Sequence, residues 1–94
     1  MVVAACQIRL RLYGVHSLKD KRSVVKSLLA RLPRQFNLAA AEVDGNDNHQ
    51  TAVIALVTVG NESAHLYALL EKAVAWVANH RPDAQLEQYR IELR

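Results

Sequence analysis

The stretch that decides the fold is Asn37–Val59, NLAAAEVDGNDNHQTAVIALVTV. Thr51–Val59 is dense in Val, Ile and Thr and is the strongest strand pattern in the chain. Asp44-Gly45-Asn46-Asp47-Asn48 concentrates turn formers and reads as a hairpin loop. Asn37–Asp44 is then the first arm, a short Ala-rich strand that is weak by propensity. A hairpin in the middle of the chain fixes what its flanks have to be.

Upstream, residues 2–13 alternate. Ala4, Cys6, Ile8, Leu10 and Leu12 share one side; Val3, Ala5, Gln7, Arg9 and Arg11 share the other, as in a strand with one face on a core. Gly14 ends it. Ser17 stands as a helix N-cap with Asp20 three residues on, and Leu18, Val25, Leu28, Leu29 and Leu32 recur at helical spacing, predicting a helix over 18–32 that Pro33 ends or kinks. Downstream, a second helix opens near Gly60 or Asn61, carries Leu66, Leu70, Ala73, Val74 and Val77 on one face, and stops at Asn79 and Pro82. Leu86–Leu93 closes the chain as a strand.

The order is β-α-β-β-α-β, with no repeat, linker or low-complexity segment. Right-handed crossovers around a central hairpin give a ferredoxin-like α+β sandwich, one domain over residues 1–94 with two helices on one face of a four-stranded antiparallel sheet. The third strand is apolar on both sides. Val53, Ala55, Val57 and Val59 fall on the helix-free face, where a bare Val-rich patch marks an interface. A homodimer through that face is the expectation, with docking of a different protein as the alternative.

Charge is polarised. Residues 1–36 hold eight Lys/Arg against one acid, Asp20, whereas residues 37–94 hold four against eight. Lys19, Arg22 and Lys26 lie within about 60° of one another on the first helix, away from the Leu stripe, and Arg31 and Arg34 extend the same side. Lys21 lies nearer the apolar side, positioned to reach past the end of the sheet. Lys19, Lys21, Arg22 and Lys26, with Arg9 and Arg11 as further candidates, form the expected site for phosphate oxygens of structured RNA. The first and third strands are almost free of base-stacking aromatics, Tyr13 at a strand end being the only one, so backbone contact is the expected mode. A small anion seated at the start of the first helix is a third reading.

Other chemistry finds little support. His16, His49, His65 and His80 lack the spacing of a metal site. Asp44, Asn46 and Asn48 imitate the first positions of a calcium loop, but His49 stands where Gly is needed. Glu42 and Asp44 share one strand face and read as residues that hydrate an edge strand and deter edge pairing, with an acidic pair as the alternative. Acylphosphatases share the topology, yet Leu12–Ser17 has one Gly and no Arg where their phosphate loop would fall. No phosphate loop, dinucleotide fingerprint or Ser-His-Asp pattern is present, so neither enzyme nor cofactor is expected. Cys6 reads as a core thiol, and Val3–Cys6 leaves no room before it for a leader's basic and apolar regions. No apolar run approaches the length of a membrane helix, and a cytoplasmic protein is expected.

The segment His16-Ser17-Leu18-Lys19-Asp20-Lys21-Arg22-Ser23-Val24-Val25-Lys26 closely resembles the signature of the bacterial YlxP-like family, a domain of unknown function (number 503). Met1-Val2-Val3, Phe36-Asn37, Ala41–Asp44 and Asn61–His65 extend the likeness along the chain, while Pro33 and the Asn/Asp-rich hairpin depart from the pattern. The resemblance implies a ferredoxin-like fold without an established activity. It also implies genes lying beside those for translation initiation and ribosome maturation, and so a ribosomal subunit or RNA as partner.

Overall fold

The computed structural model describes residues 1–44 and 48–94; of the expected turn, Gly45, Asn46 and Asp47 lie outside the described residues. The elements run β1 (Val2–Leu12), α1 (Leu18–Gln35), β2 (Ala39–Asp44), β3 (Thr51–Gly60), α2 (Ser63–His80) and β4 (Ala84–Leu93). They form one antiparallel sheet in the order β2-β3-β1-β4, the ferredoxin-like arrangement expected from the sequence. The most apolar strands, β1 and β3, take the centre. Ala4, Cys6, Ile8, Leu10 and Leu12 all turn into the core, where Cys6 sits opposite Leu56 and Ile8 opposite Ile54. Gly14, at φ +71°, supplies the left-handed residue that ends β1 and sends the chain towards α1.

Ser17 caps α1. Its side chain accepts the Asp20 N–H at 3.1 Å, and Asp20 Oδ2 accepts the His16 N–H at 3.3 Å. The helix continues to Gln35, past the expected end at Leu32. Pro33 lies in the last turn, so its missing N–H costs a single bond to Leu29, and the Phe36 N–H closes the helix on the Leu32 carbonyl at 2.9 Å. The buried stripe is Lys21, Val24, Val25, Leu28 and Leu32, while Leu18 is exposed and Leu29 half-buried. In α2 the buried set is the expected one: Leu66, Leu70, Ala73, Val74 and Val77. That helix begins two residues after Asn61, without a side-chain cap. Phe36 meets Trp76 edge-on at 6.5 Å, and Trp76 stacks on His80 at 4.3 Å, closing one end of the helix layer.

Two bulges reset strand phase. In β4 the register with β1 shifts between Arg9 and Leu10, so Glu87 is the extra residue. Leu86 and Tyr89, three apart in sequence, consequently pair with Leu10 and Ile8 on the core side. The Tyr89 hydroxyl reaches α2 and donates to the Glu71 carboxylate at 3.0 Å. In β2 the shift falls at Val43. Glu42 therefore shares the helix side with Ala40, and Asp44 shares the opposite side with Ala41. The two acids do not lie on one face, which corrects the shared face expected from simple alternation. Burial pushes the Cys6 thiol up to about 11, and the residue is 2% exposed, as a core thiol should be. Among the described residues no helix is long and apolar enough to cross a membrane.

Candidate functional site

The outer half of α1 carries Lys19, Arg22, Lys26, Arg31 and Arg34, all exposed. Elsewhere most cations are answered by acids, Arg11 and Lys72 being the exceptions among the described residues. Arg9 Nε lies 3.6 Å from Glu87, Arg81 grips Asp83 through two 2.8 Å bonds, and Arg90 and Arg94 share Glu92 at 3.0 and 2.8 Å. Among the described residues, no carboxylate lies within ion-pair distance of the five α1 cations. The face runs along the helix for about 22 Å at 1.5 Å per residue. Such a surface attracts anions spread over a similar length rather than one small ligand.

Lys21 does not belong to it. Its ammonium lies 3.0 Å from Glu42 Oε2 and donates to the Asn48 carbonyl at 3.0 Å, and the side chain is 2% exposed. At 100° per residue Lys21 stands in the middle of the Val24, Val25, Leu28 and Leu32 stripe, so its stem is core and its charge is used inside the fold. The sequence-based set thus loses Lys21 as a phosphate ligand. The start of α1 also suits a small anion poorly: the cavity there, about 350 Å³ between Leu18, Lys21, Arg22 and Glu42, has a carboxylate in its wall.

Arg9 and Arg11 are exposed, but on the opposite side of the sheet from α1. The structure does not bring them together with Lys19, Arg22 and Lys26. Their face divides in two. One half holds Val3, Ala5, Ala39, Ala41, Ala55, Val57 and Val59 in adjacent register positions, with Val57 40% and Val59 55% exposed. The other half is polar, with a cleft of about 500 Å³ between Gln7, Arg9, Asp44, Val53, Gln88 and Arg90. Val53 belongs to this second half, opposite both Arg9 and Asp44, and is 9% exposed. Of the four residues expected at an interface, Val57 and Val59 offer surface, Ala55 offers a little, and Val53 is withdrawn.

Sequence reasoning missed a groove between α1 and the edge strand. It encloses about 470 Å³ and is lined by Arg22, Val25, Lys26, Leu29, Ala30 and Glu42. The i, i+3, i+4, i+7, i+8 spacing of the five helical residues was legible, but their neighbour on β2 was not. Among the described residues no three His, Cys, Asp or Glu side chains gather as a metal site.

Fold and surface together define a ferredoxin-like α+β domain with a cationic first helix and a half-apolar open sheet face. The chain belongs to the family described as "Protein of unknown function (DUF503)", whose pattern matches residues 3–91. It is 27% identical over 66 residues to the "Uncharacterized protein YlxP" of Bacillus subtilis (strain 168), covering 70% of this chain and 72% of that one. The likeness read from His16–Lys26 is thereby confirmed. Among solved structures, a mutant of SnoaB, a cofactor-independent oxygenase from Streptomyces nogalater, matches with a TM-score of 0.47 at 17% identity, over 99% of this chain and 90% of that one.

Proposed function

We propose that the protein binds the phosphate backbone of structured RNA, in a ribosomal particle, through the outer face of α1. The observation that carries this reading is the contrast in charge pairing. Of the seven cations outside the face, Arg9, Lys21, Arg81, Arg90 and Arg94 each meet a carboxylate and only the scattered Arg11 and Lys72 do not, whereas Lys19, Arg22, Lys26, Arg31 and Arg34, gathered on one helix, meet none among the described residues. Neither β1 nor β3 holds an aromatic residue, so contact is with backbone and shape rather than stacked bases. The gene neighbourhood implied by the family resemblance points the same way, and such a partner would keep the protein in the cytoplasm.

Three phosphate contacts give a log–log salt slope of roughly −2.1 to −2.7, or about a 20- to 40-fold loss of affinity between 50 and 200 mM salt. Co-sedimentation with ribosomal subunits across a salt series tests this, with wild type beside Lys19→Glu/Arg22→Glu/Lys26→Glu. Salt-sensitive association lost in the variant is the expected result. Absence of association at low salt, or a loss confined to one RNA sequence, overturns it.

The exposure of Val57 and Val59 favours a second, compatible reading, self-association through the helix-free face. Four strands about 4.8 Å apart and some 30 Å long offer roughly 600 Å² per copy, about 1,200 Å² in all, at the low end of specific interfaces. A weak homodimer is expected, seen as concentration-dependent size in sedimentation velocity. A strict monomer leaves the face to a different protein.

A further inference from the structure

β2 is an edge strand, and beyond it lies the groove under α1. The other edge, β4, is guarded by a bulge and by Glu87, Arg90 and Glu92. In β2 the guarding features, a bulge at Val43 with Glu42 and Asp44 beside it, are confined to one end. Ala39, Ala40 and Ala41 leave the rest flat and uncharged. α1 leans mainly on β2, whereas α2 spans β4, β1 and β3. A helix about 10 Å across, seated on the last strand, overhangs the sheet by about one strand spacing.

We propose that the open edge of β2 takes an extended peptide as a fifth strand beneath α1. Its helix-facing side chains are apolar near Ala39 and acidic near Glu42. The chain direction sets that polarity: α1 runs from the Glu42 end of β2 towards its start, so Arg22 and Lys26 overhang the first part and Leu29 and Ala30 the second. Val25 and Leu29 form an apolar floor that would not suit phosphate. Glu42, the acid in the lining, is already met by Lys21 at 3.0 Å, which leaves Arg22 and Lys26 to receive the peptide's carboxylates. A second copy of this chain fits poorly. Pairing β2 with itself would set two α1 helices about 5 Å apart, where helices pack at 8–10 Å, and would bring Lys26 towards its own counterpart.

This site goes beyond the RNA reading and shares only Arg22 and Lys26 with it. The test is a titration of the ¹⁵N-labelled full chain with a capped heptapeptide that carries threonine at every second position and, between them on one face, valine in one half and glutamate in the other, beside a counterpart with lysine in place of glutamate. Shifts confined to the amides of Arg22–Ala30 and Ala39–Asp44, with about tenfold tighter binding of the glutamate peptide, are expected. Arg22→Glu/Lys26→Glu should reverse the preference. Leu29→Trp fills the groove without changing charge and should abolish peptide binding while salt-sensitive retention on ribosomal subunits persists. No shifts at β2 with millimolar peptide, equal binding of the two peptides, or full binding by Leu29→Trp overturns the proposal.

Discussion

Replacing Lys21 by methionine keeps the length of the buried stem and removes only its charge. Glu42 Oε2 then loses the ammonium at 3.0 Å. Breaking one side of a buried pair costs about 3–5 kcal/mol. The Glu42 side chain is 22% exposed, but its Oε2 is buried, so little water replaces the ammonium at that oxygen and about 3 kcal/mol is the least expected. Asn48, which also loses a donor, is exposed and adds little. For a domain of this size the midpoint should fall by on the order of 10–20 °C. Lys21→Met/Glu42→Leu, which removes both charges, should recover most of the loss. Urea unfolding followed by Trp76 fluorescence measures all three proteins and the pair's coupling energy. Lys21→Met should also keep its salt-sensitive retention on ribosomal subunits. A stable Lys21→Met protein, within about 0.5 kcal/mol of wild type, that loses this retention would refute the assignment and return Lys21 to the binding surface.

Val57→Lys/Val59→Lys should leave stability within about 0.5 kcal/mol and shift sedimentation to the monomer; an unchanged size distribution removes the sheet face from self-association. Cys6 should resist thiol reagents in the native protein and react at the rate of unfolding. Because its folded value is raised, the contribution is present below the ordinary thiol range and lost as pH rises towards 11, so urea midpoints should fall across that window more in wild type than in Cys6→Ala. Hydrogen bonds from Arg81 hold the Asp83 carboxyl below its ordinary range, which gives stability above about pH 4 that is lost as pH falls through the lowered value. Asp83→Asn should therefore cost up to about 1 kcal/mol at pH 7, a difference that vanishes in acid.

The fold was legible because its signals are periodic and agree with one another. Alternation over Val2–Leu12, the Ser17 cap, the α2 stripe and the central hairpin each specify one element, and their order admits few topologies. The bulges were less legible. The step from Leu86 to Tyr89, odd in a strand of period two, announces the one at Glu87. Nothing in Ala-Glu-Val-Asp announces the one at Val43, and with it went the position of Glu42. Lys21 failed for a different reason: residue type outweighed position. Its spacing to Val24, Val25, Leu28 and Leu32 is that of a core residue, and the core accepted it because β2 supplied a carboxylate from a distant part of the chain.

Strand order explains why the remaining charge collects where it does. β4 pairs with β1, so Glu87 and Glu92 arrive beside Arg9, Arg90 and Arg94 and offset part of the charge on that face. β2 lies under α1 and delivers Glu42 to Lys21 alone. Among the described residues no strand passes outside α1, and its own acid, Asp20, is engaged at the cap with the His16 N–H. The helix thus forgoes the i, i+4 acid–base pairs that commonly stabilise an exposed face and instead sets Arg22 one turn before Lys26, and Lys19 and Arg31 three residues before Arg22 and Arg34. Each like-charge neighbour costs about 0.2–0.5 kcal/mol, so the face carries a repulsion of roughly 1 kcal/mol with no compensating contact inside the fold. A solubilising surface does not need that arrangement, since mixed charges serve it without the repulsion. A polyanion laid along α1 would relieve it, which makes the cationic face easier to understand as a binding surface than as a solvated one.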